Sequence, residues 1–501
     1  MVNNVIAPFS INSILNDIES GDIMYLGVAT DGSNHKSTKL FPIVIQYFDW
    51  QKGGLQSKLI EVKSTTNECA VTIATEIKNT LREKGLFEKC VSFTGDNCNT
   101  NFGGLRRKET GNNVFAHLKK DKPSLVGIGC PAHILNNCIH HGVNQLSIDI
   151  ESVIYKIYQH FSIYTVRTEA LKEYCDFVDI NYKKLLSHSK TRWLSLYPGL
   201  TRLLQMYPAL KSYFLSIEKP PVALKKFFEN EATELYLWHL HSLVCIFHET
   251  VAKIERSKNS VIEILECLIS VGNILKNRKS QQFVSIKVKS MLKNLRDNGL
   301  SHKADEFMTD VSILYSSCAE YLNMWTASLK EFNCFQWITL ARSGCSKPDW
   351  EMVESSLLYL LEKNIKIDDA KLFDQFHCLM KFVETQDEEF DELLCHEKWT
   401  LFFKSCRNKE FYTELLIIAQ FYFCIMAHNA NVERIFSLMQ PQWSKERDNL
   451  LVSSVEKILI VQYNFTDLSC RQFYDIIKGD THLLKQIKST EKYEWAKATS
   501  D

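Results

Sequence analysis

The chain has 501 residues, 45% of them hydrophobic and 24% charged, with 59 Lys+Arg matched by 59 Asp+Glu. This composition excludes a disordered or fibrous protein, and the length exceeds what one compact core holds, so two or three folding units are expected. A formal charge of zero excludes attraction to nucleic acid through overall charge and leaves only local patches.

The 16 cysteines are scattered and contain no CxxC pair, the pattern of reduced thiols rather than a disulfide framework. No apolar run approaches the roughly 18 residues that cross a bilayer. The opening MVNNVIAPFSINSIL lacks the basic region of a signal peptide. A nuclear or cytoplasmic protein with no membrane partner is expected.

Residues 23–30 (IMYLGVAT) predict a buried strand closed by the turn residues Asp31-Gly32-Ser33-Asn34. Residues 41–48 (FPIVIQYF) predict a second strand and residues 59–62 a third. Asn67 can cap a helix that runs to about Lys84 and stops at Gly85. Residues 90–94 (CVSFT) predict a fourth strand ending at Gly95-Asp96-Asn97. Residues 125–129 (LVGIG) predict a fifth, followed by Cys130-Pro131-Ala132-His133 and a helix. This is an α/β pattern. Asp31 and Asp96 each fall just past the C-terminal end of a strand. If those strands are neighbours, their carboxylates converge at one edge of the sheet, where hard oxygen ligands suit Mg²⁺. Paired ions there stabilise both oxygens of an in-line phosphoryl displacement. Asp-Gly after a strand is equally the ordinary chemistry of a turn. Cys130 and His133 lack the second pair that a tetrahedral site needs, so no zinc is expected.

From about residue 143 to 411 the alternation disappears and long helical patterns take over, with no fixed-period repeat. Lys183, Lys184, Lys190 and Arg192 cluster just before Trp193. An indole face gains roughly 1–3 kcal/mol by stacking on an unpaired base, and neighbouring cations can hold phosphates. A core tryptophan beside a solvated basic turn has the same sequence. Between residues 267 and 296 seven Lys/Arg occur without an acid, which reads as a backbone-binding surface or a solvated face. The acidic run at residues 387–392 would repel DNA.

In the stretch 429–464, Val432, Ile435, Phe436 and Met439 fall on one helix face, with Glu433 on its flank. Ser453 followed by Glu456 has the spacing of a capping box. The helix after it carries Val455, Ile458, Leu459, Ile460, Val461 and Tyr463 nearly all the way round, so it is buried in a core or shared with a partner chain. Residues 466–501 form a polar tail.

The strings Asp31-Gly32-Ser33-Asn34, Thr94-Gly95-Asp96-Asn97, Cys130-x-x-His133-x-x-x-Asn137 and Lys190-Thr191-Arg192-Trp193 resemble motifs of hAT-superfamily DNA transposases, in that family's order. So does Asn429-Ala430-x-Val432-Glu433-Arg434-x-Phe436-Ser437, followed by Trp443, Arg447-x-Asn449-Leu450 and an apolar helix ending at Asn464. The resemblance implies an RNase H-like mixed-sheet core, residues 1–142 and 412–465, interrupted by a large helical insertion at 143–411. It implies that Asp31, Asp96 and Glu433 are the catalytic carboxylates and hold Mg²⁺ or Mn²⁺, with Cys130 and His133 at the active-site edge. It assigns Lys190, Arg192 and Trp193 to DNA contact, and Phe436, Trp443, Leu450, Val455, Ile458, Leu459 and Tyr463 to dimerisation. The partners implied are DNA and further copies of the chain, and the chemistry is cleavage and joining of DNA by two-metal phosphoryl transfer. Members of that family usually begin with a BED-type zinc finger, and no CxxC with paired histidines occurs here. The alternative expectation is therefore a catalytically silent, transposase-derived dimerising protein.

Overall fold

The computed structural model describes residues 1–35, 38–65, 67–104, 111–186, 195–256, 258–342, 347–406, 409–443, 450–466 and 468–489. The chain forms two compact units. The first comprises Met1–Cys130, Lys258–Ile264 and Leu329–Asp501, and the second Pro131–Ser257 and Leu265–Ser328. The expected helical segment 143–411 is thus shared between the two units.

The first unit is built on a six-stranded sheet: β1 (Leu26–Ala29), β2 (Ser33–His35), β3 (Thr38–Asp49), β4 (Gly54–Thr65), β5 (Cys90–Gly95) and β6 (Val126–Gly129). β4 runs antiparallel along one side of β3, so β1 and the short β2 share its other side. β1 then pairs parallel with β5, and β5 parallel with β6. The spatial order is β4-β3-β1-β5-β6, a mixed α/β sheet. The parallel strands are almost wholly apolar, as strands covered on both faces must be. β1 is shorter than its apolar run implies, because the amides of Ile23 and Met24 go to Ile18 O at 3.2 Å and Gln420 Oε1 at 2.9 Å instead of to a strand. β3 and β4 each extend to 12 residues and are joined by the short 3₁₀ turn Trp50–Lys52, which ends at Gly53 with φ +85°. β2 is too polar to show an alternating pattern and had no sequence signal.

Neighbouring residues of each strand point into two different cores, as the pleat requires. Val28, Ile43, Ile45 and Ile60 pack with Ile14, Ile18, Ile73, Ala74 and Ile77 on one face. Those partners come from the helices Ala7–Ser20, which carried no prediction, and Ala70–Glu83. The latter starts later than Asn67, whose side chain instead accepts the Cys69 amide at 2.7 Å in the turn before it. Ala29, Val44, Leu59 and Val62 pack on the other face with Val432, Ile435, Met439, Val455, Leu459 and Ile460. These last come from the helices Ala430–Met439 and Val452–Asn464.

The second unit is helical among its described residues. The helices Pro131–Val143 and Ser301–Thr326 approach closely at Gly142, where a Cβ would lie 2.3 Å from Cys318 Sγ. Cys138 and Cys318 donate to one another's carbonyls at 3.1 and 3.5 Å across that contact. Among the described residues no helix is long and apolar enough to cross a membrane.

Candidate functional site

Two acids meet at one edge of the sheet because of register. Ala29 of β1 is level with Thr94 of β5, so Asp31 and Asp96, each two residues further along parallel neighbours, leave the sheet side by side. The Thr30 amide continues the ladder to Thr94 O at 3.3 Å. Both carboxylates are half-buried and held. Asp31 accepts from its neighbour's amide, Gly32 N, at 2.7 Å, and from Asn429 Nδ2 at 3.1 Å. Asp96 accepts from the Asn101 side-chain amide one helical turn on. A Cβ at Gly32 would lie 2.6 Å from Lys39 Cε, the far end of a flexible side chain that can shift aside.

Asn429 is fully buried at the N-cap of the helix Ala430–Met439 and ties that helix to Asp31. Its carbonyl accepts the Glu433 amide at 3.2 Å, so Glu433 stands one turn along the same side of the helix. A second clamp sits on β4: Asn431 Nδ2 donates to Ser57 Oγ at 3.0 Å, Ser57 to Gln46 Oε1 at 3.1 Å, and Gln46 Nε2 to Phe423 O at 3.0 Å. Arg434 donates to Asn431 Oδ1 at 2.9 Å. Val432 and Ile435 are buried beneath. In the string Asn429–Arg434, then, most side chains fix the helix, and Glu433 is the half-buried residue they aim.

Cys130 closes the same edge. Its amide donates to Gly95 O at 2.9 Å and its carbonyl accepts Asn97 Nδ2 at 2.8 Å. Thr94 Oγ1 donates to Met426 O at 2.7 Å, binding the end of β5 to the segment that leads into Asn429. His133 lies on the helix Pro131–Val143 of the second unit.

The fit to a divalent cation can be judged from the oxygens present. Thr30 Oγ1, Asn97 Oδ1 and Asn429 Oδ1 are buried with no hydrogen-bond partner among the described residues. The two aspartates themselves supply hard oxygens, the kind of donor that Mg²⁺ or Mn²⁺ takes. Against this, no group of three or more His, Cys, Asp or Glu among the described residues is gathered tightly enough to hold a metal. The aspartates fit a hard cation in kind, while no third carboxylate among the described residues is gathered with them into a ready-made site.

Lys190, Arg192 and Trp193 lie outside the described residues. The seven-cation run is split over the helices Val261–Ser280 and Ile286–Asp297. Three of its members are engaged: Arg278 lies over Phe283, Lys287 sits 3.4 Å above the Trp238 ring, and Arg296 pairs with Asp305 at 3.2 Å. Lys276, Lys279, Lys289 and Lys293 are exposed.

The residues expected to dimerise divide sharply. Val455 and Leu459 are buried against the chain's own sheet. Ile458, Tyr463 and Phe436 are half-buried, and Trp443 stacks on His35 at 3.9 Å while its Nε1 donates to Leu450 O at 3.0 Å. Leu450 and its neighbour Leu451 are 37% and 71% exposed. The capping box expected at Ser453 is absent. The helix starts at Val452 without a side-chain cap, and Glu456 instead accepts the Val62 amide of β4 at 3.4 Å. Sequence reasoning also missed Asn464, whose side chain accepts Leu59 N at 2.8 Å and donates to Leu59 O at 2.9 Å. It had stood out only as the end of a motif.

No family model matches this sequence, and the search of curated proteins returns no match.

Proposed function

We propose that the chain is a hAT-type transposase-like protein with an RNase H-like core, able to cleave and join DNA through Asp31, Asp96 and Glu433. The observation that carries the reading is the parallel register of β1 and β5, which sets Asp31 beside Asp96, together with the Asn429–Asp31 hydrogen bond that brings in the helix of Glu433. The mixed sheet, three antiparallel strands β4-β3-β1 followed by the parallel β5 and β6, supports the same reading.

In this reading the two aspartates and Glu433 hold a divalent cation, which supplies Lewis acidity and an acidified water at the phosphodiester. The protein's own contribution is placement. Asn429 and the Gly32 amide orient Asp31, and Asn101 orients Asp96, so neither carboxylate must be ordered when substrate arrives. The exposed lysines at 276, 279, 289 and 293 offer phosphate contacts on the second unit.

Full-length protein fused to a DNA-binding module is expected to nick plasmid DNA with Mg²⁺ or Mn²⁺, and Asp31→Asn to lower that rate on the order of 10²-fold or more. Nicking that is equal in wild type and Asp31→Asn, or absent from both, would sink the catalytic reading.

A second reading is favoured by one observation. Asn429 already occupies Asp31, and no ready-made carboxylate cluster exists among the described residues. On this account the chain is a transposase-derived dimerising protein that does no chemistry, and self-association survives where nicking does not.

A further inference from the structure

A large cavity lies at the other end of the sheet from the acids. It has a volume of about 1040 Å³ and is bordered by Met24 just before β1, Lys89 just before β5 and Trp50 just after β3. β3 is antiparallel to β1 and β5 parallel to it, so these three positions share the edge opposite Asp31 and Asp96. Ile18, Leu86 and Phe403 form a buried apolar floor. Leu416 and Ile417 of the helix Thr413–Cys424 stand half-buried in its wall. The rim is preformed: the buried Gln420 side chain donates to Asp22 O at 3.2 Å and accepts the Met24 amide at 2.9 Å.

The charges around this cavity are not equivalent. Lys84 already faces Glu61 at 4.0 Å, and the acids Glu19 and Asp22 are exposed, where water screens them. Lys89 is half-buried, and its ammonium donates to Ile23 O, with no carboxylate in ion-pair reach among the described residues. An ammonium has three donors, so two remain for a ligand. An apolar and aromatic cleft of this size with one convergent cation has the make-up of a small-molecule site.

The geometry points to a binding site for an amphipathic carboxylate, a molecule with a long apolar body in the Ile18–Phe403 cleft and its anionic head on Lys89. This site is separate from the acid edge and does not depend on DNA chemistry there.

The test uses the full chain and a fluorescent fatty acid, dansyl-undecanoate, displaced by oleate or by its neutral counterpart, oleyl alcohol. Saturable one-to-one binding is expected, with oleate displacing the probe roughly 10-fold or more better than the alcohol, the worth of one charge-assisted hydrogen bond. Lys89→Met should erase that preference while leaving alcohol binding, and Lys89→Arg should keep it. Ile417→Trp, which fills the cleft from a partly exposed wall, should weaken both ligands at least about 10-fold with an unchanged unfolding midpoint. The proposal is overturned by non-saturable binding, by an acid preference that survives Lys89→Met, or by an Ile417→Trp protein that binds as wild type does.

Discussion

Asn429 is the residue on which the acid edge turns. It is fully buried, caps the helix of Glu433 and spends its amide on Asp31. Removing it leaves a half-buried carboxylate short of a donor. Asn429→Ala is therefore expected to cost about 1–3 kcal/mol of stability, read as a lower urea midpoint with unchanged slope. A midpoint equal to wild type would show that the bond holds nothing. A second buried group sets the response to acid. His239 is packed edge-on against Phe307 and Tyr315, and burial, helped by the Arg278 charge, lowers its pKa from 6.5 to about 3. The unfolded chain takes up a proton below pH 6.5 that the folded one refuses. The stability owed to neutral His239 is thus complete above that pH and is lost as pH falls toward 3, by up to about 1.4 kcal/mol per unit. His160, lowered to about 4 by burial and Arg167, adds in the same sense. Urea unfolding at pH 7 and pH 5 should show a smaller loss in His239→Phe than in wild type, and parallel losses would refute the assignment.

The helix Val452–Asn464 shows how a single element closes the sheet. β4 is an edge strand, and an open edge exposes a row of unpaired amides and carbonyls. Here the β3–β4 register skips Ile60, and the backbone of Leu59 beside it is taken by Asn464, which accepts its amide and donates to its carbonyl as another strand would. Asn464 also donates to Ser10 Oγ at 3.2 Å, and Glu456 takes the Val62 amide. Loss of the Asn464 side chain strands several buried polar groups at once, so Asn464→Ala is expected to cost about 2–4 kcal/mol and to raise hydrogen exchange at Leu59 and Val62. Unchanged exchange at those two amides would contradict this role. The same helix cannot offer Val455 or Leu459 to a partner without opening the core they fill.

For the whole molecule, Leu450 is the one exposed residue among those that the resemblance assigns to dimerisation, and it lies at the entry to that helix. Leu451 is 71% exposed beside a 37% exposed Leu450. If the chain dimerises there as proposed, Leu451→Arg lowers the mass measured by light scattering from that of two chains to that of one, without a change in far-ultraviolet circular dichroism. Identical masses for wild type and variant would move the interface elsewhere. Deleting the helix Val452–Asn464 would not answer the question, because its Val455, Leu459 and Ile460 belong to the folded core.

Hydropathy and turn chemistry, read along the chain, determined the five longer strands, the α/β character of the first part, the helical character of the middle and the positions of Asp31 and Asp96 just past two strands. These follow from local pattern: apolar runs closed by Gly, Asp and Asn are legible wherever they occur. The helix Ala7–Ser20 and the strand β2 left weaker patterns and were missed. Only the tertiary structure decided that β1 and β5 are parallel neighbours in a register that aligns the two acids, that Asn429 and Asn431 are clamps, and that Asn464 completes an exposed strand. It also decided that the nearly all-round apolar helix is buried chiefly in its own chain's core. Each of these is a pairing between residues far apart in the chain, and the asparagine clamps, which span hundreds of positions, are set by which polar group lacks a partner once the sheet has formed, a lack with no signature in local sequence.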